Sequence, residues 1–172
     1  MIGPAQLEVA IGLETCNEPT LEWLNKSMTL ADFDKAVEQL HLWNIETRVF
    51  LLLGLPYMSP TENLSWTIQS IEYAASRGVK CFSIIPTRPT MQGLAELLSL
   101  GDFHLPNGEV IEAVHEQGIL LKKGRVFVDL WDAGQFFACD HCRKLRLDRL
   151  NLMNLQQIVL PTIRCEYCDK VN

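Results

Sequence analysis

No apolar run in this sequence approaches the length of a membrane span. The longest, Val49 to Leu55, falls far short of the roughly 20 residues that a bilayer requires. No basic stretch followed by an apolar core opens at Met1, so no secretory signal is expected. Neither common glycine-rich phosphate loop is present, which excludes the usual P-loop and dinucleotide sites. His41, His104, His115 and His141 have no serine or cysteine partner at a strand end, so nothing points to nucleophilic catalysis. Low-complexity linkers are absent, as are internal repeats beyond an alternation of strand and helix. What remains is the composition of a globular chain. It is 48% hydrophobic and 21% charged over 172 residues, enough for one domain and a small appendage.

Charge is divided along the chain. The formal net charge of −6 hides an acidic body, residues 1–119, and a basic tail, residues 120–172. An acidic body argues against a broad nucleic-acid surface. The tail keeps a local RNA contact open at Arg143, Lys144, Arg146 and Arg149. A solvated helix face is the alternative reading of the same four residues.

Cysteine is concentrated at the end. Cys139 and Cys142 form one C-x-x-C, and Cys165 and Cys168 form a second. Four thiolates at this spacing can converge on one tetrahedral ion, and zinc is the expected occupant. Two disulfides, or an iron–sulfur cluster on the same sulfurs, are the alternatives. Four protein ligands fill a zinc ion's coordination sphere, so the expected role is structural. His141 lies between two of these cysteines and is a possible substitute ligand. Cys16 and Cys81 sit in or beside apolar segments and read as small buried residues. Metal-spaced cysteines fit a reducing compartment, so the expected location is cytoplasmic, with no membrane partner.

The alternation of segments gives an α/β class. Leu7–Leu13, Thr47–Leu55 and Val79–Ile85 are apolar enough for strands of a parallel sheet covered on both faces. Asn17 caps a short helix that runs through Leu24. Thr29 and Asp32 form a capping box for a second, with Phe33, Ala36, Val37, Leu40 and Trp43 on its apolar face and Asn44 at its end. Ser59, Pro60 and Glu62 start a third, which Gly78 stops. Met91–Leu100 and Gly108–Glu116 read as further helices, ended by Gly101 and Gly118. Arg125–Leu130 reads as a strand, and Leu145–Leu160 as a helix between the cysteine pairs. Ligands in such sheets bind at the carboxyl ends of the strands, here Glu14–Thr15, Pro56–Tyr57 and Pro86–Arg88.

The order EVAIGLET, LEWLNKSMT, helix, VFLLLGLP, capped helix resembles the radical S-adenosylmethionine superfamily. Within it, the match is to the branch of tRNA methylthiotransferases, oxygen-independent coproporphyrinogen dehydrogenase and the elongator catalytic subunit. The tail resembles, more weakly, the cysteine-bearing end of the archaeosine-synthase radical subunit. The resemblance covers roughly residues 7–90 and implies the second half of a (βα)6 partial TIM-like barrel, three parallel βα units that make residues 1–90 a half-barrel. A connector would follow over 91–136, and a four-cysteine zinc-binding tail over 137–172. It further implies that Glu14 contacts S-adenosylmethionine, that Lys26 holds its methionine carboxylate, and that Gly54 lets the backbone approach this cofactor. Without the resemblance, these are a strand-end carboxylate, a helix lysine and a strand-to-loop break. Phe50 stands where some relatives place a ribose-binding aspartate. The C-x3-C-x2-C motif that holds the superfamily's [4Fe–4S] cluster is absent.

The expected function is therefore the C-terminal portion of a radical S-adenosylmethionine enzyme, acting on RNA bases such as those of tRNA. Cluster and cofactor would belong to a longer parent protein, and this chain alone would be inactive. The alternative is a non-catalytic, zinc-containing binding or assembly module. In either case the Val9–Leu13 edge invites pairing. A missing N-terminal half, a second copy or the Arg125–Leu130 segment is the expected cover.

Overall fold

The computed structural model describes residues 6–88 and 94–168, Leu94 and Ala95 through their backbone alone. The start of the helix expected from Met91 lies outside these residues. Eleven elements run β1 (Glu8–Glu14), α1 (Glu18–Trp23), α2 (Leu30–Leu42), β2 (Glu46–Leu53), α3 (Pro60–Ser76), β3 (Cys81–Pro86), α4 (Leu94–Leu100), α5 (Gly108–Leu120), β4 (Arg125–Val128), a 3-10 turn (Ala133–Phe136) and α6 (Asp140–Gln156). The four strands form one all-parallel sheet in the order β1-β2-β3-β4. None of these helices is long and apolar enough to cross a membrane.

The start signals act as the residue types dictate. Asn17 accepts from the Thr20 N–H. Thr29 with Asp32, and Ser59 with Glu62, form complete capping boxes. Asn44 and Gly78 adopt the left-handed conformation just beyond their helices. This releases the chain into the next strand.

Side chains alternate across the sheet. Thr47, Val49, Leu51 and Leu53 of β2 point into a core shared with Phe33, Val37, Ile71, Ile111 and Val114 of the helices. Arg48, Phe50 and Leu52 point to the other face, where Phe50 is 36% exposed. The expectation that both faces are covered is thus overturned for β1 and β2. The second face is half-open. Charged groups line its lower end: Arg48 bonds Glu8 at 2.7 Å, and Arg48 and Arg125 both lie over the Phe127 ring.

Several boundaries differ from the sequence reading. Arg125–Leu130 does not cover β1. It contributes β4, on the opposite edge beside β3. The outer edge of β4 is closed by side chains of α6. Asn154 accepts from Val128 N–H and donates to its carbonyl, both at 2.9 Å, and Gln157 does the same for Val126 at 2.7 and 3.0 Å. The β1 edge has no strand partner among the described residues. Gly118 does not stop α5 but lies inside it, where a Cβ would come within 2.9 Å of Val126 Cγ1 and 3.2 Å of Ile71 Cδ1. Its absent side chain lets helix and strand close together. Trp43 is not on the buried face of α2; it caps the helix and is 65% exposed. α6 begins at Asp140 rather than Leu145 and leaves helical geometry at Gln157.

Candidate metal centre

The early start of α6 shapes the site. Cys139 is its N-cap and Cys142 lies in its first turn. Backbone N–H groups at a helix start favour thiolate over thiol. The second pair sits on a turn in which the Cys168 N–H donates to the Cys165 carbonyl at 3.1 Å. His141 stacks on Tyr167, with centroids 3.7 Å apart and planes 7° from parallel. One ring from each C-x-x-C thus ties the two loops together.

The four sulfurs lie within 4.8 Å of one another. Cys139 faces Cys165 at 3.8 Å, and Cys142 faces Cys168 at 3.6 Å. All four cysteines are free of disulfides. Sulfurs about 2.3 Å from one central ion stand about 3.8 Å apart at tetrahedral angles. The donor set therefore fits a single ion. A four-iron cubane places its irons between the ligand sulfurs and needs a wider set. His141 is engaged with Tyr167 and is not among the clustered donors.

The thiols share charge unequally. Hydrogen bonding from Cys168, then from the backbone of Cys142 and His141, holds the Cys139 thiol down at about 6. Cys142 is pushed up chiefly by desolvation, and Cys168 chiefly by its bond to Cys139. One thiolate forms readily, while Cys142 and Cys168 resist. A central cation is what allows all four to ionise.

Two of the four basic residues beside the centre are withdrawn from the surface. Arg146 and Arg149 are 8% and 3% exposed. Arg146 bonds Glu112 at 2.9 Å. Arg149 bonds Glu112 at 3.3 Å and Glu116 at 2.7 Å. Both therefore tie α6 to α5. Arg143 and Lys144 are more open and pair with Asp140 and Asp148. Sequence reading missed Glu112 because a glutamate in an amphipathic helix carries no mark of its buried partners.

The structure brings Glu14 and Lys26 together. Lys26 Nζ donates to Glu14 Oε1 at 2.5 Å. The bulge between Gly12 and Glu14, with Glu14 at φ 65°, turns the carboxylate back over Gly12. A Cβ on Gly12 would meet Glu14 Oε1 at 2.5 Å and Lys26 Nζ at 3.0 Å. The pair thus hangs over the half-open face at its carboxyl end. Both groups can exchange one another for the ammonium and carboxylate of an amino-acid ligand.

Gly54 is separate from this pair and enclosed. At φ 96°, a Cβ would fall 2.8 Å from Pro106 Cδ and 3.4 Å from Thr87 Cβ. Pro106 of the same chain fills that approach. Asn63, which the sequence reading passed over, organises the loop. Its Oδ1 accepts from Gly54 and Leu55 N–H, and its Nδ2 donates to the carbonyls of Leu55, Met58 and Ser59. Arg88 is also committed, bonding Asp129 at 3.0 Å and lying over the Trp131 ring.

Comparison with known proteins places these features on a known architecture. No family model matches the chain, and no curated protein does. Among solved structures, the chain is similar to an archaeal protein, Methanocaldococcus infernus Elp3 with an N-terminal deletion. The TM-score is 0.61 at 16% identity, and the match covers 94% of this chain and 38% of that one. At that identity the likeness is one of fold. The chain spans well under half the length of the structure it resembles.

Proposed function

We propose that this chain is the later part of a radical S-adenosylmethionine enzyme barrel, followed by a structural zinc site. The observation that carries the reading is the fold likeness to Elp3, which covers nearly all of this chain and 38% of that one. The half-open inner face and the β1 edge, which has no strand partner among the described residues, support it, since both are what a barrel divided between strands would leave. Lys26 would take the cofactor's carboxylate and Glu14 its ammonium. The cluster-binding cysteines would lie on a further stretch of polypeptide, and an RNA base is the substrate class that the resemblance suggests. The cytoplasm is the matching compartment.

The test is anaerobic purification of the longest in-frame product of the gene. A four-iron cluster whose electron paramagnetic resonance spectrum shifts on adding S-adenosylmethionine is the expected result. No in-frame C-x3-C-x2-C, or no cluster in a protein that has one, would overturn it.

Zinc is our assignment for the four cysteines, on the sulfur spacing given above. Metal analysis should find about one zinc per chain. Cys165→Ser should release it and loosen the tail. Retention of zinc at unchanged thermal stability would sink the assignment.

A second reading draws on Gly54. Its approach is filled by Pro106, and Glu14 and Lys26 satisfy each other. These contacts favour a non-catalytic binding module. An RNA contact of such a module would rest on Arg143 and Lys144, since Arg146 and Arg149 are buried. Titration of this chain with S-adenosylmethionine separates the two readings. Saturable binding that Lys26→Met abolishes belongs to the first.

A further inference from the structure

A cavity of about 340 Å³ opens between α1 and the start of α3, at the carboxyl ends of β1 and β2. Its walls include Pro19, Trp23, Tyr57, Met58, Glu62 and Trp66. Neither Glu14, Lys26 nor the four cysteines line it. Trp23 and Tyr57 stand edge to face, with ring centroids 4.9 Å apart and planes 85° from parallel. Both are large aromatic rings left open to solvent, at 44% and 55% exposure. Tyr57 is held there at a backbone cost. Its φ is 58°, a conformation that bulky residues avoid, and its N–H is fixed by the Asp102 carbonyl at 2.7 Å. Strain of this kind persists where surrounding contacts dictate the residue's direction.

We propose that this cavity binds an organic cation with an apolar shell, of the methylated-ammonium class. Aromatic faces attract such cations through the negative face of the ring, tryptophan most strongly. Trp23 and Trp66 both line the cavity, so it offers two rings of the type that holds such cations best. The charge agrees. Glu62 lines the cavity and no lysine or arginine does. Glu18 and Glu22 of α1 line a separate cavity with Lys26 and add no charge to this one. Met58, Pro19 and Pro56 supply apolar contact for methyl groups.

The experiment is a choline titration of the full chain at constant ionic strength. It follows the indole N–H resonances of Trp23 and Trp66, with Trp43 and Trp131 as internal controls. Saturable shifts at Trp23 and Trp66 alone are expected. Trp23→Ala should weaken binding about tenfold, and Tyr57→Phe, which keeps the ring, should preserve it. Trp23 is a partly exposed side chain, so its removal should leave the control resonances in place. Equal binding of 3,3-dimethylbutanol, the uncharged isostere, would overturn the cationic assignment. So would preferential binding of adenosine monophosphate, or shifts that do not saturate.

Discussion

The side-chain amide of Asn154 completes the hydrogen bonding of Val128, accepting from its N–H and donating to its carbonyl at 2.9 Å each. With Gln157 on Val126 it stands in for a fifth strand. An edge strand otherwise presents unpaired backbone groups that recruit other chains. Asn154→Leu keeps the volume and removes both bonds. It should destabilise the fold by about 2 kcal/mol, because two backbone groups lose their partners. It should also raise the tendency to self-associate. Urea unfolding and sedimentation check the two effects, and a monomeric variant of full stability would contradict both.

Arg146 links the metal centre to the body of the protein. It bonds Glu112 at 2.9 Å and has the Cys142 sulfur as a further charge partner. Groups that touch a metal's ligands typically change affinity 10–100-fold when lost. If the centre holds zinc as proposed, Arg146→Met should therefore speed its loss to a chelator by about that range. Glu112→Gln should act mainly on stability, costing about 3 kcal/mol by leaving buried guanidiniums under-compensated. Zinc release and denaturant unfolding of the two variants separate the roles. Equal zinc retention in Arg146→Met would remove the link.

His115 makes stability depend on pH. It is fully buried, and its Nε2 donates to the Val126 carbonyl at 3.2 Å, while Nδ1 has no partner. Burial holds its pKa down from 6.5 to about 4. The unfolded chain therefore takes up a proton in a range where the folded chain does not. Stability contributed by the neutral ring is full above the unfolded pKa of about 6.5 and falls as pH drops toward 4, by up to about 3 kcal/mol. His115→Gln keeps a donor at the Nε2 position and should flatten the profile between pH 7 and 5. Unfolding at those two pH values, wild type against variant, is the check. An equal slope would show that His115 does not set the pH dependence.

Most of the sheet and the cysteine cluster were legible in the residues themselves. Caps such as Ser59–Glu62 act through bonds three residues apart, and C-x-x-C places two donors on one turn, so local sequence contains what is needed. The failures were non-local. Arg125–Leu130 reads as a strand from any position, but its place beside β3 depends on Asn154 and Gln157, which are 26 and 31 residues from their Val128 and Val126 partners. Gly118 looks like a stop until Ile71 and Val126 show that it is a close-packing site. Arg146 and Arg149 look like a basic surface until Glu112 buries them. In the body, Glu14 and Lys26 were paired only through the resemblance, and the Glu14 bulge that brings them together has no local signature.

The two edges of the sheet should differ in hydrogen exchange. The Leu7 carbonyl accepts from the Glu46 N–H at 3.0 Å, so Leu7, Val9 and Ile11 turn their backbone groups toward β2. Glu8, Ala10 and Gly12 then turn theirs to the open edge, because successive residues of a strand alternate sides. The amides of these three should exchange near unprotected rates, whereas Val126 and Val128, held by Gln157 and Asn154, should be protected by orders of magnitude. Residue-resolved exchange at two protein concentrations makes the comparison. Protection of Ala10 that grows with concentration would mean that a second copy pairs along β1. Protection that does not depend on concentration would mean that a segment of the same chain already covers the edge, which would remove one support for the divided-barrel reading.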